Sequence, residues 1–89
     1  MFYLKGEIII RIDKFLKNSR IIKRRTVAKK ACDQGKVLVN DKTAKPGDEV
    51  EIGDRITVNI ANSSKDYEVL MLKDNVQKKG ARDLYKELE

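Results

Sequence analysis

At 89 residues the chain has room for one compact domain near the lower limit for independent folding, which leaves no space for a separate catalytic domain. Its residues are 38% charged and 40% hydrophobic, and no apolar run approaches the roughly 20 residues of a membrane helix, so a soluble protein without a membrane partner is expected. Net charge is +6, with no His and a single Cys, Cys32, which excludes an intramolecular disulfide and any Cys/His metal site and fits a reducing, cytoplasmic address.

In chain order, Met1 to Ile10 has neither the apolar core nor the small-residue cleavage site of a secretion signal, and reads as an N-terminal extension. Ile12, Phe15 and Leu16 then fall at i, i+3 and i+4, the apolar stripe of a short helix over Ile12 to Asn18. Ser19 to Ile22 connect it to a second helix. There Val27, Ala28, Ala31 and Cys32 are expected inward, with Arg24, Arg25, Lys29 and Lys30 outward. Gly35 is the expected stop, because a residue just past a helix often needs a left-handed backbone. Cys32 reads as a small core residue.

From here the period changes to two. Val37-Leu38-Val39 is a strand, Asn40-Asp41 a tight hairpin turn and Thr43-Ala44 the return. Lys45-Pro46-Gly47-Asp48 is a turn, Val50 and Ile52 lie on a short strand, and Gly53-Asp54 turns again. Ile56, Val58 and Ile60 alternate with Arg55, Thr57 and Asn59 along a half-buried strand. The polar run Asn62 to Asp66 is expected to turn into a strand over Tyr67 to Leu72. Gln77 to Glu89 is expected to be a helix bearing Ala81, Leu84, Tyr85 and Leu88. No internal repeat or low-complexity tract interrupts this order.

Charge is distributed unevenly along these elements. Arg11 to Lys36 holds ten Lys and Arg against Asp13 and Asp33, a local charge of +8, whereas the rest of the chain carries ten bases against twelve acids, a charge of −2. A basic surface of that density attracts a polyphosphate backbone, with binding that falls steeply as salt rises.

Three segments in order, Arg11-Ile12-Asp13-Lys14-Phe15-Leu16, Lys23-Arg24-Arg25-Thr26-Val27-Ala28 and Gly35-Lys36-Val37-Leu38-Val39-Asn40, resemble the S4-like RNA-binding domain. The resemblance spans Arg11 to about Ile60. It implies an α+β, S4-like (alpha-L) fold: two short helices packed on a small antiparallel sheet, here with a C-terminal helical tail. The expected organisation is an extension over 1–10, the RNA-binding domain over 11–75 and the tail over 76–89. Within that family the chain is most similar to the small stand-alone bacterial members, those of ribosome quality control above all and the heat-shock S4-like proteins beside them. The resemblance implies binding to large ribosomal subunits obstructed by peptidyl-tRNA. The partners would be large-subunit ribosomal RNA, the peptidyl-tRNA and a quality-control protein that tails the nascent chain with alanine.

Two features depart from the family pattern. Met1 to Ile10 precede a motif that usually stands near the start, and Arg24 occupies a position where Ser or Thr commonly caps the second helix. Arg24 exchanges that cap for another cation near the positive end of the helix dipole.

The expected RNA-binding residues are Arg11, Lys14, Lys17, Arg20, Lys23, Arg24, Arg25, Lys29 and Lys36. Arg11 and Arg25 lead, since a guanidinium forks two hydrogen bonds onto a phosphate or stacks on a base. The others contribute mainly charge. Asp13 is expected either to cap the first turn or to orient Arg11 through an ion pair. Asn40 is first a turn residue, with an RNA contact from its amide as the alternative, and Tyr3, Tyr67 and Tyr85 lie too scattered for a base-stacking platform.

Catalytic residues, metal ligands and cofactors are not expected: there is no His, no phosphate-binding Gly-rich loop and no nucleophile set beside a base. The chain is therefore read as a monomeric, non-enzymatic binding protein. Two alternatives stay open on the residues alone. One is an adaptor that docks a protein through its acidic sheet and tail, and the other is a nonspecific DNA binder.

Overall fold

The computed structural model describes residues 9–73 and 76–88. Of the N-terminal extension only Ile9 and Ile10 fall within that range; Tyr3 and Glu89 lie outside it. Strand β1 (Ile10–Arg11) runs straight into helix α1 (Ile12–Asn18), and α2 (Arg25–Asp33) follows. Then come β2 (Val37–Val39), β3 (Lys42–Thr43), β4 (Glu49–Val50), β5 (Arg55–Ile60) and β6 (Ser63–Val69), a 3-10 helix over Lys78–Leu84, and β7 (Tyr85–Leu88). Five strands form one antiparallel sheet in the order β3-β2-β5-β6-β7, and β1 pairs with β4 beside it.

The expected stripes explain the packing. Ile12, Phe15 and Leu16 of α1 are fully buried, and they share one core with Ala28, Ala31 and Cys32 of α2 and with Val37, Val50, Ile56 and Val69 of the strands. Val27 is the exception on α2: expected inward, it is 49% exposed. It lies in the first turn, at the margin of the Ala28-Ala31-Cys32 stripe and a hundred degrees from Ala28, so it swings into solvent. Gly35 ends α2 as expected, at φ 73°, with its N–H donated to Cys32 and that of Lys36 to Ala31, the paired bonds of a Schellman motif. Arg20 holds the equivalent place after α1 at φ 61°, donating to the Lys17 carbonyl.

Asn40 and Asp41 both take left-handed conformations and close the β2–β3 hairpin in two residues. The polar run Asn62 to Asp66 behaves otherwise than expected. Ala61 and Asn62, both left-handed, complete the turn alone, and Ser63 to Asp66 already pair with β5 as part of β6. The strand that was to reach Leu72 therefore starts earlier and ends at Val69.

The C-terminal tail corrects the sequence expectation most. Ala81 and Leu84 are buried, as a helical stripe demands, but on a 3-10 helix, whose three-residue turn serves an i, i+3 pair equally well. From Tyr85 the chain is a strand and not a helix, pairing Val69 with Tyr85 and Tyr67 with Glu87. Two tertiary terms override the helical period. The edge of β6 offers unpaired backbone groups, and Tyr85 meets Tyr67 edge-on with ring centroids 5.4 Å apart.

Candidate nucleic-acid interface

Arg11 ends β1 and Arg25 opens α2, and the fold brings both side chains onto one carboxylate. Asp13, in the first turn of α1, has its side chain 2% exposed. Its Oδ2 accepts a hydrogen bond from Arg11 Nη2 at 3.1 Å and lies 3.5 Å from Arg25 Nε. Its Oδ1 accepts the Lys14 backbone N–H at 2.7 Å. Asp13 is expected to cap the first turn or to orient Arg11; it does both, and it holds Arg25 as well.

The Lys45–Asp48 turn supports this cluster from below. It is locked by Asp48 N–H to the Lys45 carbonyl and by Lys45 N–H to the Asp48 carboxylate, each at 2.9 Å. Its carbonyls of Asp48 and Pro46 accept the Ile12 and Asp13 N–H groups, which an α1 without a side-chain cap from Arg11 would otherwise leave open. Gly47 of that turn lies against the Arg11 guanidinium, where an added Cβ would sit 3.8 Å from Nη2. Lys45, exposed on the same turn, is a cation that the charge count over Arg11 to Lys36 missed; the turn signature around Pro46 is what marks its place.

Two guanidiniums share one carboxylate, so the cluster keeps a surplus positive charge. Each guanidinium has five N–H donors, and Arg11 and Arg25 stay about half exposed while each is held at Asp13 through one nitrogen. That suits bidentate contact with phosphate oxygens.

The remaining candidates are exposed: Lys17, Arg20, Lys23, Arg24, Lys29 and Lys36 all face solvent, and Lys14 is half-buried. Arg25 and Lys29 stand one turn apart on the same face of α2. Arg24 precedes α2 in extended conformation with no side-chain cap, as the sequence implied. The structure thus joins Arg11 and Arg25 directly through Asp13, while Lys17, Arg20, Lys23, Arg24, Lys29 and Lys36 lie exposed on the surface.

Cys32 lies behind the site. Burial first, then the charges of Asp13, Asp33 and Asp48, push its thiol up to about 11, which keeps it protonated and unreactive at neutral pH. The Asn40 amide is already engaged, donating to Asp54 at 3.0 Å and accepting the Arg55 N–H at 2.9 Å, which supports the turn role over an RNA contact. Among the described residues, no group of three His, Cys, Asp or Glu could hold a metal ion, and no helix is long and apolar enough to cross a membrane.

The S4 domain family model matches residues 10–56. An RQC P-site tRNA stabilizing factor of Halalkalibacterium halodurans is 43% identical over 76 residues, covering 85% of this chain and 86% of that protein. The factor of the same name in Bacillus subtilis is also 43% identical over 76 residues, with 85% and 88% covered. Among solved structures, the trimeric heat shock protein 15 of Vibrio cholerae superposes with a TM-score of 0.84 at 33% identity, covering 91% of this chain and 83% of that one.

Proposed function

This chain belongs to the S4 domain family, in the branch that holds the RQC P-site tRNA stabilizing factors, and from that membership we propose that it binds structured RNA of the large ribosomal subunit. The observation that carries the reading is the Arg11–Asp13–Arg25 cluster, two half-exposed guanidiniums held by one buried carboxylate, an arrangement that suits a phosphate backbone. Lys14, Lys17, Arg20, Lys23, Arg24, Lys29 and Lys36 add charge around it.

In this reading the protein acts in the cytoplasm as a binding factor with no chemistry of its own. It engages large subunits still carrying peptidyl-tRNA, steadies that tRNA and supports a partner that extends the stalled chain with alanine. The names of its relatives support the tRNA and the quality-control setting; the alanine step comes from family resemblance. A heat-shock-type factor is the second reading, favoured by the close superposition on the Vibrio cholerae protein. Both readings share a large-subunit target.

Cosedimentation tests the common part. The wild-type chain is expected to travel with large subunits at low salt and to be released as salt rises, and Arg25→Ala to bind at least tenfold more weakly with its unfolding midpoint unchanged. Unaltered sedimentation of a folded Arg25→Ala protein would refute the assignment.

A further inference from the structure

The β5–β6 hairpin is longer than the strands that flank it. On one side β2 pairs only with Ile56 to Val58, and on the other β7 pairs only with Asp66 to Val69. The pairs Asn59–Ser64 and Ile60–Ser63, together with the turn Ala61-Asn62, therefore continue past the body of the sheet. Every residue from Asn59 to Lys65 is exposed, including Ile60, which continues the inward series of Ile56 and Val58 but has no core beneath it.

Three properties of this tip go together. First, it joins the basic surface: the Asn59 N–H donates to the carbonyl of Lys36, the last cation of the basic segment, at 2.8 Å. Second, it is free of acids in the acidic part of the chain, for Arg55 to Lys65 contains two bases and no Asp or Glu, although carboxylates crowd the sequence on either side. Third, four of its side chains are amides or hydroxyls: Asn59, Asn62, Ser63 and Ser64. Cross-strand partners share a face, so Asn59 and Ser64 project together on one side and Ile60 and Ser63 on the other, with Asn62 at the end. The two-residue left-handed turn keeps the end narrow.

We infer that this hairpin tip is a second RNA contact, a polar finger that enters a groove of the same RNA whose phosphates the Arg11–Arg25 cluster holds. The inference rests on the RNA-binding reading above and adds a kind of contact that the basic face lacks. Lysines and arginines along a backbone sense charge, whereas paired Asn and Ser side chains both donate and accept. That suits the 2′-hydroxyls and base edges of the wide, shallow minor groove of an RNA helix. A two-stranded ribbon is narrow enough to reach into a groove, and the absence of carboxylates removes the repulsion that would keep the neighbouring parts of the sheet away.

Tethered cleavage provides the test. Ser63→Cys, and separately Lys86→Cys on β7, would carry an iron chelate that cuts nearby nucleic acid; Cys32 is buried with a thiol raised to about 11 and stays unlabelled. The probe is bacterial large ribosomal subunits carrying P-site tRNA. Position 63 should cut a small, discrete set of nucleotides and position 86 none. In parallel, Asn62→Asp with Ser64→Asp should weaken binding at least tenfold while the unfolding midpoint holds. Absence of cleavage from position 63 overturns the inference, as does wild-type affinity in the double variant. So does a double variant that loses a protein partner while its RNA affinity is unchanged. Arg25→Ala separates the two claims: if it abolishes binding while the finger variants bind normally, only the finger falls.

Discussion

Arginine meets carboxylate in both halves of this molecule, with opposite results. In the helical half, Asp13 is enclosed and serves two half-exposed arginines at once, so positive charge and unused donors remain on the surface. In the sheet, Arg55 pairs with Asp41, a carboxylate 74% exposed, and its Nε is buried without a hydrogen-bond partner. The first arrangement fixes geometry and leaves charge to spare. The second neutralises charge and ties the β2–β3 turn to β5. What separates a binding site from a structural ion pair here is the ratio of cations to carboxylates and which partner is buried, since an exposed one-to-one pair contributes little beyond local order.

The division can be broken from the sheet side first. Leu84 is fully buried where the 3-10 helix turns into β7, and Leu84→Ala should destabilise the fold by about 2–5 kcal/mol, read by chemical denaturation. At temperatures where the variant is still folded, its RNA affinity and salt dependence should match wild type. A change in salt slope would show that the two halves are not separable.

A smaller effect sharpens the helical side. Arg20 occupies a left-handed position that glycine adopts without steric cost, and Arg20→Gly should hold or raise stability, by up to about 1 kcal/mol. The same change should weaken RNA binding and reduce the salt slope by about one counterion. Lower stability, or an unchanged slope, would mean that Arg20 stands there for the fold and not for the ligand.

Much of this was legible in the sequence, and the parts that were not have a common cause. Ile12, Phe15 and Leu16 declare their helix because neighbouring residues alone set the period, and Gly35 and Asn40-Asp41 mark turns through backbone conformations that few residues accept. Tyr85 to Leu88 misled because the open edge of β6 and the ring of Tyr67, distant in sequence, decide their conformation. The site divides the same way. Charge density and family resemblance pointed to Arg11 and Arg25, and the nearness of Asp13 to Arg11 suggested their ion pair. That Arg25 reaches the same oxygen, and that the Lys45–Asp48 turn closes beneath them, depends on the packing of α1 against α2 and β4 and has no local signature.

The most direct test of the shared carboxylate is the affinity of Asp13→Asn for large ribosomal subunits, measured across a salt series beside wild type. The substitution removes a negative charge, so a surface that works by charge alone would bind more tightly. An amide in place of Oδ2 turns a donor toward the two guanidiniums and releases them, and the arrangement described here predicts binding about tenfold weaker, equivalent to about 1.4 kcal/mol, with the fold intact. Equal or tighter binding by folded Asp13→Asn would contradict it.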